Sequence, residues 1–124
     1  MHPTYKISEV SKLTDLSIPT LRYYEELGLL HPQRTANNYR VFTEKDLAWI
    51  QFIQRAKKTG MPLAKIIEYS KLREKEAQTI LQRIAILEEQ EQLLELEKKN
   101  LQEHIDFLQE KKAHYASMKS EITE

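Results

Sequence analysis

The chain has 124 residues, with 19 Lys+Arg against 19 Asp+Glu, two glycines, four prolines and no cysteine. This length holds one ordinary domain, or a small domain with an appended element, and the missing cysteines exclude a disulfide framework, thiolate metal sites and a thiol nucleophile. Apolar runs are short and the opening Met1-His2-Pro3-Thr4-Tyr5-Lys6 lacks a basic-then-apolar pattern, so neither a membrane span nor an export signal is expected, and the expected compartment is the cytoplasm.

The zero net charge is unevenly distributed. Residues 1–60 carry nine bases and six acids, a net +3, which leaves −3 for the remainder. Such asymmetry points weakly to a front half facing nucleic acid and a back half facing solvent or a partner.

In chain order, a first helix is expected from Ser8, a residue able to cap free N–H groups, with Val10 and Leu13 on its apolar face until Thr14-Asp15. Ser17 is a second N-cap, with Pro19 in the first turn where its missing N–H costs nothing. Leu21, Tyr24 and Leu27 recur at helical spacing until Gly28 closes the helix. Two short helices joined by a tight turn make a helix-turn-helix. Leu29-Leu30 and Tyr39-Arg40-Val41-Phe42 then read as the strands of a β-hairpin wing, with Asn37-Asn38 supplying left-handed turn conformations. Thr43-x-x-Asp46 resembles a capping box and opens a third helix running through Leu47, Trp49, Ile50, Phe52 and Ile53 to Gly60. Pro62 opens a short fourth helix with Leu63, Ile66, Ile67 and Leu72.

From about Ala77 no Gly or Pro occurs, and Ile80, Leu87, Leu94, Leu101, Leu108 and Tyr115 follow one another at intervals of seven, a heptad d position; Ile84, Glu91, Lys98, Ile105 and Lys112 occupy position a. A helix over residues 77–118 would be roughly 63 Å long at about 1.5 Å per residue, longer than the front domain can cover, so homodimerisation through Ile80, Ile84, Leu87, Leu94, Leu101, Ile105 and Leu108 is expected. A parallel in-register pair would set Glu91, Lys98 and Lys112 each against its own copy, and an antiparallel coiled coil avoids those repulsions. A second stripe, Ile86, Leu93, Asn100 and Phe107, widens the face, which implies a further contact, most simply with the third and fourth helices of either subunit.

The informative segment runs from Ser17 to Leu30. A helix entering a major groove presents small polar, basic and aromatic residues outward, as Thr20, Arg22 and Tyr23 do. Arginine offers a fork to phosphate or guanine, tyrosine hydroxyls reach phosphate, and Ser8 and Ser17 aim helix N-termini at the backbone. Arg34, Tyr39 and Arg40 on the wing, and Arg55, Lys57 and Lys58 at the end of helix three, extend the basic surface. Glu25 and Glu26 would repel phosphate and read as orienting or salt-bridging groups. By periodicity alone Tyr24 is as well suited to the core as to DNA.

These residues resemble the MerR family of bacterial transcription regulators. Thr20-Leu21-Arg22-Tyr23-Tyr24-Glu25, Gly28-Leu29-Leu30, Pro32, Arg34, Asn38-Tyr39-Arg40-Val41-Phe42, Asp46-Leu47 and Gly60-Met61-Pro62-Leu63 match its signature in order and spacing over residues 5 to about 72. Asn38 departs from the usual Gly before Tyr-Arg, and Phe42 from the usual Tyr. The resemblance implies a mainly α chain: a winged helix-turn-helix DNA-binding domain over 3–74, a long coiled-coil dimerisation helix over 77–118, and a tail over 119–124. It also implies DNA-contacting roles for Arg22, Tyr23, Tyr24, Arg34, Tyr39, Arg40 and Lys57. The implied action is that of a homodimer on a dyad in double-stranded promoter DNA, distorting the DNA under the control of a small-molecule or stress effector so that RNA polymerase is served indirectly.

Family members sense metals or oxidants through cysteines, and a subset of similar length senses aldehydes through one cysteine on helix three, about where Arg55 stands here. Neither chemistry is expected of a cysteine-free chain, nor is a drug-binding domain expected after the long helix. A ligand would have to lie between helices, with Trp49, Tyr69, Phe107, His104 and Tyr115 as candidates. His104 and His114 are ten apart and form no metal pair, and His2 and His31 are isolated. With no phosphate loop or nucleophile motif, neither an enzyme nor a cofactor is expected. Two rivals share parts of the pattern: an excisionase-like architectural protein lacks the heptads, and a coiled-coil adaptor lacks Thr20–Tyr24.

Overall fold

A computed structural model of the chain describes residues 3–122, with side chains through residue 119. The elements are β1 (Thr4–Tyr5), α1 (Ile7–Thr14), α2 (Ile18–Glu26), β2 (Gln33–Arg34), β3 (Arg40–Thr43), α3 (Glu44–Lys58), α4 (Leu63–Glu74), a 3-10 turn (Glu76–Thr79) and α5 (Ile80–Ile122). They fall into two compact units, residues 1–86 and 87–124. The second unit is the continuation of α5.

Local chemistry accounts for most boundaries in the first unit. The Ser17 hydroxyl accepts from the Thr20 amide at 3.1 Å and Pro19 occupies the first turn of α2. Gly28, at φ +81, ends that helix; a Cβ there would meet nothing within 4 Å, so the demand for glycine is conformational. The Thr43–Asp46 capping box is closed from both sides, at 3.2 and 2.9 Å. Asn38 takes the left-handed conformation, φ 66, at the tip of the β2–β3 hairpin.

Three boundaries differ from the sequence reading. Helix α1 begins at Ile7 with Lys6 at its N-cap, so Ser8 is inside the helix; Glu9 accepts from the Lys6 amide at 2.9 Å and takes over the capping role. The shift follows from β1, a two-residue strand that pairs antiparallel with β3 (Thr4 with Thr43, Tyr5 with Phe42) and holds the chain extended up to Lys6. Leu29 and Leu30 are not a strand. Both are buried, and their amides return to the Tyr24 carbonyl, so the first strand of the wing is Gln33–Arg34, paired with Val41 and Arg40. The sheet order is β1-β3-β2. Finally, the long helix starts at Ile80, after a turn in which Glu76 is left-handed and the Thr79 hydroxyl donates to the Leu72 carbonyl, and it continues through Ile122. Positions 119–122 of the expected tail are therefore helical; 123–124 and the expected-isolated His2 lie outside the described residues.

The core of the first unit is one cluster in which Val10, Leu21, Tyr24, Phe42, Ile50, Ile53 and Ile66 are nearly or fully buried. Ile86 belongs to it, so the start of α5 is part of the first unit and the second stripe is anchored there. Two side-chain bonds fix the frame: Trp49 Nε1 donates to the Leu29 carbonyl at 2.8 Å, and Gln54 Nε2 to the Thr14 carbonyl at 2.6 Å, closing the turn between α1 and α2 onto α3. Along α5, Ile80, Ile84, Leu87, Leu94, Leu101, Ile105 and Leu108 are all exposed, as are Leu93 and Phe107. No described helix is long and apolar enough to cross a membrane.

Candidate nucleic-acid interface

Helix α2 turns one edge inward with Leu21 and Tyr24, and at about 100° per residue the opposite edge carries Pro19, Arg22, Tyr23 and Glu26, all exposed. Among the described residues Arg22 has no hydrogen bond or ion pair, and Tyr23 has only a tilted ring contact with Tyr24 at 6.5 Å. A guanidinium and a phenol are thus presented to solvent on a helix whose other side is locked into the core. Thr20 flanks this edge, its hydroxyl paired with Ser17 at 2.8 Å.

The wing is bound to the same helix through Glu25. Its carboxylate accepts from Arg40 Nε at 2.6 Å and from Arg34 Nη2 at 3.3 Å, and Arg34 also reaches the Asn38 carbonyl at 3.2 Å. Two arginines against one carboxylate leave a net positive group. Their planar forks are held in place before any DNA arrives, a geometry lysines would not give. Tyr39 stands out from the hairpin at 71% exposure, with its amide held by the Thr35 hydroxyl at 3.1 Å. Beside the wing lies a concavity of about 540 Å³ whose lining includes Lys6, Ser8, Tyr39 and Arg40.

Of the two readings open for Tyr24, the structure places its ring in the core, at 2% exposure. Only its hydroxyl is engaged, by Lys57 Nζ at 3.2 Å, and the same ammonium lies 5.6 Å from the ring centroid. Lys57 is thereby drawn back along α2 while remaining exposed. Arg55, Lys57 and Lys58 occupy the last turn of α3, where they also suit the negative end of the helix dipole. The proposed orienting role of Glu25 has specific partners here, 9 and 15 residues along the chain, and no local motif announces them.

Of the ligand candidates, Trp49 and Tyr69 are in the first unit, stacked with Phe52, whereas His104, Phe107 and Tyr115 are on the second. Among the described residues no three His, Cys, Asp or Glu side chains are grouped to hold a metal.

The MerR HTH family regulatory protein model matches residues 5–72, which contain both helices of the motif, the wing, α3 and most of α4. The chain belongs to the MerR family. It is a DNA-binding transcriptional regulator. An uncharacterized HTH-type transcriptional regulator of Bacillus subtilis, YyaN, is 36% identical over 95% of this chain and 96% of its own. Among solved structures, HiNmlR, a MerR family regulator lacking the sensor domain and bound to promoter DNA, aligns at 30% identity with a TM-score of 0.75, covering 95% of this chain and 94% of that one. A putative MerR family regulator from Listeria monocytogenes aligns at 30% identity and 0.77, covering 90% and 85%. Several other curated relatives are matched over only about half their length. This MerR chain therefore shares both its winged front and its long helix with a relative of nearly equal extent.

Proposed function

We propose that the protein acts in the cytoplasm as a homodimer that grips a dyad in double-stranded promoter DNA, with α2 of each chain in a major groove and each wing on the flanking backbone. The observation that carries this reading is the Glu25 arrangement: one helix presents Arg22 and Tyr23 outward while fixing Arg34 and Arg40 of the wing beside them. Groove-reading and backbone-positioning groups then meet DNA as one rigid unit. Ser17, Thr20, Tyr39 and Lys57 add polar and basic contacts at its margins.

Dimerisation is supported by the heptad seam of α5, from Ile80 to Leu108, whose apolar side chains are exposed among the described residues. Charged layers at Glu91, Lys98 and Lys112 favour the antiparallel pairing. Distorting a site of 20–30 base pairs costs about 1–6 kcal/mol, and an effector that binds one dimer geometry better than another shifts that balance. RNA polymerase is affected through the shape of the promoter.

Nuclease footprinting on the DNA flanking the protein's own gene tests this. The expected result is protection of a dyad-symmetric site whose affinity falls steeply with salt. No protection at any salt concentration, with a folded protein, contradicts it.

A further inference from the structure

One face of α3, formed by Lys45, Trp49 and Phe52, meets Tyr69 and Arg73 of α4 and Arg83 at the start of α5 around a cavity of about 280 Å³. All lie in the first unit. The three rings are nearly parallel, with centroids 5.3 Å apart for Trp49–Phe52, 5.0 Å for Phe52–Tyr69 and 6.1 Å for Trp49–Tyr69. Arg73 holds its guanidinium carbon 4.3 Å from the Trp49 centroid. No carboxylate lines the cavity, and among the described residues none of Lys45, Arg73 and Arg83 has an acidic partner. Arg83 donates from Nη2 to the Glu76 carbonyl at 2.6 Å, but its Nε–H is buried without a hydrogen-bond partner among the described residues.

Three cations line these flat apolar walls with no carboxylate among them, and the one buried donor, the Arg83 Nε–H, is left unsatisfied, a cost that an anionic acceptor would remove. We propose that this cavity binds a small one-ring aromatic carboxylate. The ring packs against the aromatic walls, and the carboxylate sits between Arg73 and Arg83, where a small rotation of Arg83 turns its free N–H onto an oxygen. At about 280 Å³ the volume is just below the roughly 300–1,000 Å³ usual for small-molecule sites, which admits one ring rather than a fused system. The Trp49 indole N–H is already committed to Leu29, so the guanidinium groups are the orienting handles. Because the cavity joins α3 and α4 to the first turn of α5, an occupant would tie these elements together.

Trp49 is the sole tryptophan and lines this cavity, so its fluorescence reports a change there. The full-length protein is titrated with benzoate, with benzamide as the uncharged ring and acetate as the ringless anion, correcting for light absorption. The expected result is a saturable change with benzoate at a concentration at least tenfold below that for either control. Arg83→Met and Arg73→Met, each checked by circular dichroism for a cooperative melt, should weaken benzoate at least tenfold, and Arg83→Lys, which keeps the charge but loses the planar fork, should fall between. Purely collisional quenching by benzoate, equal curves for benzamide or acetate, or arginine variants that titrate like the parent would overturn the proposal. Saturation seen only when the α5 seam is broken by Leu94→Glu and Leu101→Glu would also overturn it, by placing a second chain in the cavity. The titration contains no DNA, so its failure is separable from failure of the promoter-binding reading.

Discussion

Adjacent residues of α2 divide its work. Tyr23 and Tyr24 are about 100° apart on the helix, so one faces out when the other faces in; Leu21, three residues before Tyr24, decides which. The spacing of Leu21, Tyr24 and Leu27 contained that answer, but the tyrosine type, equally at home on phosphate, obscured it. Arg22, exposed and without a hydrogen bond or ion pair among the described residues, is the proposed base or phosphate reader. Arg22→Ala should weaken binding to the footprinted site by about 1–3 kcal/mol, roughly 5- to 150-fold, with no change in thermal stability, measured by fluorescence anisotropy and circular dichroism. Glu25 behaves differently. Glu25→Gln removes a negative charge from the interface yet releases Arg34 and Arg40, so binding to an unrelated duplex should hold steady or tighten while binding to the footprinted site weakens. The ratio of the two affinities at fixed salt is the measurement, and an unchanged ratio would deny Glu25 its positioning role. The sequence marked Glu25 as a salt-bridging group, but its partners depend on how the hairpin folds back, which no short window of residues encodes.

Elements were legible wherever a cap or glycine marks an end. The Ser17 and Thr43 caps, Gly28, Asn38 and Pro62 all sit where their chemistry requires. Legibility failed where pairing replaced local signals. Strand β1 has two residues, too few for periodicity, and its pairing with β3 moved the start of α1 to Ile7. Leu29-Leu30 looked like a strand because both are apolar, but they are buried by wrapping around the end of α2. Thr43 has a special position between β3 and α3, since its hydroxyl caps the helix that carries Trp49 and Lys57. Thr43→Ala should cost about 1 kcal/mol, read as a lowered urea midpoint at fixed chain concentration, with Thr43→Ser recovering most of it. Loss of less than a few tenths would mean that Asp46 alone supports that helix end.

For the whole molecule, the charge division marks a boundary of function that the compact units place further along the chain. The +3 front holds the helix-turn-helix and the wing, but the first unit extends to Ile86, well into the acidic half, because the opening turns of α5 are needed to complete its core. The continuous heptad pattern gave no sign of that division, since Ile86 belongs to the neighbouring stripe. Beyond it the seam residues are exposed along α5, and the proposed dimer would cover them while placing two α2 helices on one duplex. The direct test is sedimentation of the protein with a labelled duplex carrying the footprinted dyad, alongside a duplex carrying one half-site. Two chains per full duplex, with the half-site bound at least 100-fold more weakly and the difference erased by Leu94→Glu with Leu101→Glu, is the predicted result; one chain bound with equal affinity to both duplexes would contradict it.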